Sequence, residues 1–475
     1  MIIQKQTALM IPLALALGQA QAATLCVDPA NSPPCFATIQ AAVNAAAAGD
    51  TIDIAVNPSS KGYTENVVIA TANLTLIGKG KASGGPTSEK CPNVIVDACE
   101  TGADPTDCGV NTFGGDAITV NAAGVTVQGL LIRHGDKGIG LNAGADNTTI
   151  TSVCFIDNGE HVFSGGGVVN DVTVADSLFR GGSGGDAIDL DGDDIQIQRN
   201  IFFTTDNGVD ITGDNFYISN NNFITSNDDC IDVRGDNGKI HDNVLKTCDD
   251  PIDYDGDQPD IRRNDITSAA GGQGVDLFCS DGSFDPATCT GGTIANNKIN
   301  GVGDDTQGMD VDGDNLVIEN NNIVSTADEG INYEGSHGII RNNAVRRAGS
   351  ENESPGIDID GSDNLIEGNI VELNSYVGIR NYSGDDNTYR QNKVVNNGRS
   401  GILIKEGDDT IIDNNIVVRN HGEGVNNGSL ATDTTIDNNT ITDNRTDVCN
   451  DGSVLSFVGN TFGTGGIATA CVVDQ

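Results

Sequence analysis

A unit of about 22 residues returns along most of the chain: residues 208–223 read GVDITGDNFYISNNNF and residues 308–323 read GMDVDGDNLVIENNNI. Aligned on the third residue of G-[IV]-D, one column holds Asp189, Asp210, Asp232, Asp253, Asp276, Asp310, Asn332, Asp358, Arg380, Leu403 and Asn426. The steps between them are 21, 22, 21, 23, 34, 22, 26, 22, 23 and 23 residues. Weaker copies precede these, such as AITVNAAGVTVQGLLI at 117–132 and GIGLNAGADNTTIT at 138–151. Short β-branched alternating runs, punctuated by Gly, Asp and Asn at this period, predict the coils of a β-solenoid. No segment between runs is long enough for a crossover helix, and 61 glycines exclude a helical repeat. In GMDVDG the alternation sends Met309 and Val311 inward and Asp310 and Asp312 outward; Ile188 and Leu190 against Asp189 and Asp191 follow the same rule.

A second column stands eleven residues later: Asn200, Asn221, Asn243, Asn264, Asn321, Asn343, Asn369 and Asn414. Stacked asparagines satisfy each other's amides at an interior bend, so this column is read as structural. One real helix is predicted over residues 36–50, FATIQAAVNAAAAGD, with Ile39, Ala42, Val43 and Ala46 on one face and Gly49 at its end. It covers the open first coil, whose strand edges would otherwise aggregate.

The chain begins as a secretory signal peptide does: Lys5, an apolar run from Ala8 to Leu17, then Ala20-Gln21-Ala22 before a cleavage point. No later run is long enough to span a bilayer. Twelve cysteines agree with an oxidising compartment, outside the cell, at its surface or in a periplasm. Cys26/Cys35, Cys279/Cys289 and Cys449/Cys471 read as local staples, while the partner of Cys154 stays open. The expected layout is a signal peptide at 1–22, an N-terminal cap and first coils at 23–114, repeats at 115–445 and a C-terminal coil with its Cys pair at 446–475.

The stretch TIQAAVNAAAAGDTIDIA…YTENVVI…NLTLIGKG, within 38–80, resembles the opening of secreted proteins of the pectin-lyase-like superfamily. The Asn-rich coils that follow resemble their repeats. The resemblance implies an all-β fold, a single-stranded right-handed parallel β-helix with an N-terminal capping helix, and covers nearly the whole mature chain. It leaves activity open, because that superfamily holds lyases, hydrolases, esterases, epimerases and non-catalytic surface proteins.

A net charge of -43 excludes nucleic acid as a partner and opposes anionic membranes. Its make-up is specific: of the 68 acidic residues, 55 are Asp and 13 are Glu. Carboxylates one coil apart, about 4.8 Å, repel by about 1 kcal/mol in water and by more in a partly desolvated groove. The stripe is therefore either simply solvated or bridged by cations. The D-x-D-G-D spelling of Asp189/Asp191/Asp193, Asp253/Asp255/Asp257 and Asp310/Asp312/Asp314 offers short hard-oxygen ligands at a Gly turn, the chemistry Ca²⁺ prefers. Asp210, Asp232 and Asp253 are the expected contacts to an extracellular polysaccharide.

A narrower likeness bears on catalysis. TDNGVD…SNDDCIDV, within 205–233, resembles the N-T-D and D-D-C-I segments of polygalacturonases. It implies Asp206, Asp228 and Asp229 as the carboxylates that protonate a leaving oxygen and activate water. Where that family carries G-H-G one coil later, this chain has Cys248-Asp249-Asp250-Pro251, and no R-I-K segment follows. A lyase would instead need a base, for which Arg234 is the candidate among the outward positions; an ion pair with the column carboxylates is its plainer role. The sequence thus carries two readings: a polysaccharide-binding surface or structural protein assisted by calcium, and a polysaccharide lyase or polygalacturonase-like hydrolase acting on a uronate polymer.

Overall fold

A computed structural model describes residues 22–59, 61–80, 91–99, 114–165, 167–182, 184–203, 206–267, 271–278, 290–301, 307–349 and 354–468. The predicted signal segment through residue 21, the Cys279/Cys289 pair and Cys471 lie outside these residues.

Each coil contributes three short strands, such as Val209–Thr212, Tyr217–Ser219 and Asn222–Thr225, and the next coil repeats them as Ile231–Arg234, Lys239–His241 and Val244–Lys246. Each strand pairs in parallel with its counterpart one coil on, so the coils build three long sheets. The register is that of the repeat: Val209 faces Ile231, Asp210 faces Asp232, Ile211 faces Val233 and Thr212 faces Arg234. Alternate residues point into the coil, where Val209, Ile211, Ile231 and Val233 are fully buried. Phe155, Phe179, Phe202 and Phe223 stack ring on ring inside, with centroids 5.0, 4.8 and 4.4 Å apart. Tyr254 and Tyr333 also point inward and are fully buried.

The glycine of the repeated D-x-x-G-D serves the coil-to-coil stacking. Gly213 and Gly235 hold φ of +153° and +150°, and a Cβ on either would stand 2.1 Å from the carbonyl oxygen of the corresponding glycine one coil earlier. Only glycine lets the turns approach this closely.

The asparagine ladder is present and longer than expected. The amide of Asn243 accepts from the Asn221 backbone N–H at 2.9 Å and from Asn221 Nδ2 at 3.1 Å, and donates to the Ile218 carbonyl at 3.0 Å. The ladder continues through Asn264, Asn297, Asn321, Asn343, Asn369, Asn392, Asn415, Asn439 and Asn460. Asn414 is not a member. It is exposed, with a φ of +55°, and Asn415 takes its place because a bulge in the strand Ile379–Ser383 adds a residue that the next coil keeps. A second ladder, Asn374, Asn397, Asn420 and Asn444, runs along another corner.

The helix is shorter than the sequence suggests. α1 (Ile39–Ala45) starts at the Thr38 cap, whose hydroxyl accepts from Ala41 N–H, and Ile39, Ala42 and Val43 are its buried face. Glu65 accepts the Ile39 and Gln40 N–H groups at 2.8 and 2.9 Å. Ala46 is already extended, and Gly49 belongs to the turn that leads into the strand Thr51–Ile54. Three disulfides join described residues: Cys26–Cys35 as expected, Cys91–Cys154, and Cys230–Cys248. Among the described residues no helix is long and apolar enough to cross a membrane.

Candidate functional site

One sheet presents the aspartate column to the outside. Asp189, Asp210, Asp232, Asp253, Asp276 and Asp310 are in direct register from coil to coil, and the column runs on through Asn332, Asp358, Arg380, Leu403 and Asn426. Two residues along each strand, a second outward column begins with Asp191, Thr212, Arg234 and Asp255. The carboxylates therefore stack at the strand spacing, with few counter-charges between them.

The electrostatic consequence is a line of carboxyls that hold protons unusually well. Partial burial pushes Asp189 up to about 7, and the neighbouring Asp210 adds to the shift. Asp210 rises to about 6 for the same reason, with Asp232 as its strongest charged neighbour. Burial first, then Asp253 and Asp310, take Asp276 to about 8. Asp312 reaches about 7, and Asp255 and Asp310 are raised as well.

The D-x-D-G-D triplets do not act as single units. Asp189 and Asp191 face outward from the strand, but Asp193 sits at the turn, where its Oδ1 accepts the Asp214 N–H at 2.9 Å. Asp257 accepts from Thr290 N–H at 2.8 Å and Asp314 from Ser336 N–H at 2.7 Å. These third carboxylates are rungs of a backbone ladder along the turn. The three members of each triplet are thus divided between the two outward columns and that ladder.

Convergence occurs across coils instead. Among the described residues, one group of three carboxylates brings an oxygen from each within 4.8 Å of the others: Asp229, Asp232 and Asp253. Asp229 stands three residues before the column, at a corner where another ladder runs. The Asn207 N–H donates to Asp186 Oδ1 at 2.9 Å, the Asp229 N–H to Asn207 Oδ1 at 3.0 Å, and the Asp250 N–H to Asp229 Oδ1 at 2.9 Å. Burial pushes Asp229 up to about 7, with Asp250, Asp228 and Asp253 adding to it against the Asp250 N–H bond. Asp253 reaches about 7 by burial and then by the charge of Asp232.

Arg234 is the basic side chain that meets this group. Its Nη2 lies 2.8 Å from Asp232 Oδ2 and its Nη1 3.8 Å from Asp210 Oδ1. The guanidinium is therefore an ion-pair partner, half exposed, and holds Asp232 back from a larger rise. Asp206 and Asp228 lie beside the group on consecutive coils, joined by a 3.3 Å bond from the Asp228 N–H to the Asp206 carbonyl. The Cys230–Cys248 disulfide ties together the two segments that carry Asp228-Asp229 and Asp249-Asp250.

Sequence reasoning singled out Asp229 but overlooked the corner column to which it belongs. Asp186, Asp229, Asp250 and Glu329 each stand three residues before a column member, and burial raises every one of them. The repeated [DE]-x-x-[DN] spacing was the available signal. His161, in the strand Glu160–Phe163, is buried between Asn158 and the Gly181 carbonyl, and burial lowers it to about 4, so it is a neutral core residue.

Residues 307–462 match the family model described as a right handed beta helix region. The coil stack is a right-handed parallel β-helix. That agrees with the resemblance to the pectin-lyase-like superfamily. Curated protein sequences give no match. Solved structures similar to this chain include a periplasmic alginate epimerase AlgG, at 13% identity over 73% of this chain and 76% of that one, TM-score 0.33. DFA-IIIase from Arthrobacter chlorophenolicus A6 is 14% identical over 67% and 83% of the two chains, TM-score 0.41. The Azotobacter vinelandii mannuronan C-5 epimerase AlgE4 A-module is 13% identical over 91% and 95%, TM-score 0.25.

Proposed function

We propose that this β-helix is a secreted protein that binds extracellular polysaccharide along its aspartate face, with a divalent cation such as Ca²⁺ held at Asp229, Asp232 and Asp253, in a surface, adhesive or structural role. The observation that carries the reading is the meeting of those three carboxylate oxygens within 4.8 Å, two of them pushed up to about 7. Nothing in the coil fold requires this. The ladder at the corner needs one oxygen of Asp229, and the column needs none of Asp232 or Asp253. Three hard oxygens supply part of the six to eight that calcium takes, leaving positions for water and for sugar hydroxyls or carboxylates. Arg234 competes for Asp232 and would turn away as the ion binds. Disulfide bonds between described residues fit an oxidising compartment.

The test is calorimetric titration of calcium, followed by co-sedimentation with insoluble polysaccharides in calcium and in chelator. Stoichiometric calcium binding lost in Asp232→Asn and Asp253→Asn, together with calcium-dependent co-sedimentation, is the expected result. Binding equal in chelator and in calcium would refute the cation-assisted reading.

A specific observation also favours a carbohydrate-active enzyme. An inverting hydrolase needs one carboxyl that keeps a proton near neutral pH and another that stays ionised. Asp229 meets the first condition, with Asp228 next to it and Asp206 one coil before. Release of reducing ends or of unsaturated products from a uronate polymer, abolished by Asp229→Asn, would select this reading over the non-catalytic one.

A further inference from the structure

The column changes sign on the same face that it runs along. Beyond Asp310 come Asn332, Asp358, Arg380 and Leu403 in register. Arg380 grips Asp358 with both arms, Nε to Oδ1 at 2.8 Å and Nη2 to Oδ2 at 2.5 Å, and its Nη2 stands 3.8 Å from Glu329 Oε1. Asp358 and Glu329 are buried, so they neutralise the guanidinium from its inner side.

The strand Ile379–Ser383 carries one extra residue: Ile359 faces Asn381, but Asp360 faces Ser383. The inserted residue is Tyr382. A bulge re-aims the side chain it adds, and Tyr382 is 42% exposed. Two cations converge on its ring, Arg380 with Cζ 5.2 Å from the centroid and Lys405, from the next coil, with Nζ at 3.8 Å. Lys405 is exposed, and among the described residues it makes no ion pair. The ring's quadrupole lowers the cost of bringing the two cations together without removing it. In a chain of net charge -43, this places a positive, aromatic-backed patch at the end of an acidic stripe.

Resting on the polysaccharide-binding reading above, we infer that Arg380, Tyr382 and Lys405 form a direct subsite for the anionic group of a sugar residue, carboxylate or sulfate. Lys405 supplies the free charge, Arg380 the second donor surface, and Tyr382 holds both in place while offering its exposed part to the sugar. The subsite needs no metal. It also sets a geometry for the whole face. From Asp253 to Arg380 the register advances through Asp276, Asp310, Asn332 and Asp358, five steps of roughly 4.8 Å, or about 24 Å. A chain shorter than this span reaches the cation site or the basic subsite. A longer one reaches both, and the second contact becomes intramolecular, so affinity climbs steeply once the span is crossed.

The experiment measures binding of polygalacturonate oligomers of graded length, dextran sulfate and neutral dextran, each in calcium and in chelator. Wild type is compared with Lys405→Ala, Tyr382→Ala and, as a control for lost positive charge, Lys393→Ala, whose side chain is exposed on a different sheet. The expected result is a loss of about tenfold for long anionic chains in Lys405→Ala and Tyr382→Ala, against less than about twofold in Lys393→Ala, with the length threshold abolished. Loss confined to polygalacturonate assigns a carboxylate, and loss confined to dextran sulfate assigns a sulfate. If wild type binds long anionic chains in calcium and Lys405→Ala matches Lys393→Ala, the subsite is overturned while the cation site stands. Neutral dextran bound as tightly as the anionic chains overturns it too. If wild type binds no polysaccharide in any condition, the subsite and the polysaccharide reading fall together.

Discussion

Asp229 Oδ1 accepts the backbone N–H of Asp250 at 2.9 Å, so one carboxylate oxygen belongs to the fold while the group as a whole belongs to the acidic cluster. The two duties separate by substitution. Asp229→Asn keeps an oxygen for the Asp250 N–H and removes a charge from a place where charges repel. Its stability at pH 8 should equal or exceed that of wild type. Asp229→Ala loses the acceptor as well, leaves a half-buried N–H unpaired and should cost about 1–2 kcal/mol. Thermal melts of both variants check this. An Asn variant melting as low as the Ala variant would mean that the charge itself is structural.

The raised carboxyls also set the direction of pH dependence. Asp189, Asp229 and Asp253 at about 7 and Asp276 at about 8 bind protons in the folded chain at pH values where the unfolded chain has released them. Stability must then rise as pH falls from above 8 toward the unfolded carboxylate range near 4. A fully differential group would add about 1.4 kcal/mol per pH unit, and solvent screening at these half-buried groups leaves a fraction of that. The expected result in chelator is a melting temperature that climbs between pH 8.5 and pH 5, the reverse of ordinary acid weakening. Calcium should flatten the slope, because the ion replaces protons among the carboxylates. A melting temperature that is level or falls on acidification in chelator would rule out the uncompensated stripe.

Much of this arrangement was legible because two periods coincide. Strand alternation fixes which residues face outward, and coil stacking fixes which of them meet, so the column from Asp189 to Asn426 follows from the spacing alone. What spacing could not carry was any residue displaced by a bulge. The extra residue at Tyr382 shifts the ladder member of its coil to Asn392, and the following coil keeps the longer count in unshifted register, so Asn415 rather than Asn414 is the next rung. Asp229, Asp232 and Asp253 were each singled out, the first for catalysis and the others for binding. Their convergence depends on how a corner packs over the next coil, which the repeat does not encode. The Asp triplets misled for a related reason: adjacency in sequence placed Asp193 with Asp189, while the turn at Gly192 gives it to a backbone ladder.

Arg234 provides a second probe of the same electrostatics. It neutralises Asp232 at 2.8 Å and reaches toward Asp210 at 3.8 Å, while half exposed. Arg234→Gln should cost about 0.5–1 kcal/mol at pH 8, the scale of a partly exposed ion pair. At pH 5 the orphaned carboxyls take up protons and the cost should shrink. The same variant should bind calcium more tightly, since the competing guanidinium is gone. Melts at the two pH values and a calcium titration read out both effects. A cost that is equal at pH 5 and pH 8 would show that the side chain matters through packing rather than charge.

The asparagine ladder makes the strongest structural prediction. Asn243 is 1% exposed and takes part in five bonds, accepting twice from Asn221, donating to Ile218 and Asn264, and pairing its own N–H with Asn264 Oδ1. Asn243→Ala takes partners from the Asn221 N–H, from one hydrogen of the Asn221 amide, whose other bond to Ile197 remains, and from the Ile218 carbonyl, in a site closed to water, each costing about 1–3 kcal/mol. Ladder neighbours and coil relaxation will recover part of the sum, so a loss of about 3 kcal/mol is expected. Asn243→Asp should be worse at neutral pH, because a buried carboxylate cannot donate to Ile218 and has no cation beside it. It should recover toward the Ala value on acidification, when the protonated carboxyl regains one donor. Asn414→Ala is the matched control, exposed and one residue off the ladder, and should change stability by less than about 0.5 kcal/mol. Denaturant unfolding of the three variants at pH 7, with the Asp variant repeated at pH 4.5, measures the set. Equal effects at Asn243 and Asn414 would remove the ladder as the element that holds coil to coil.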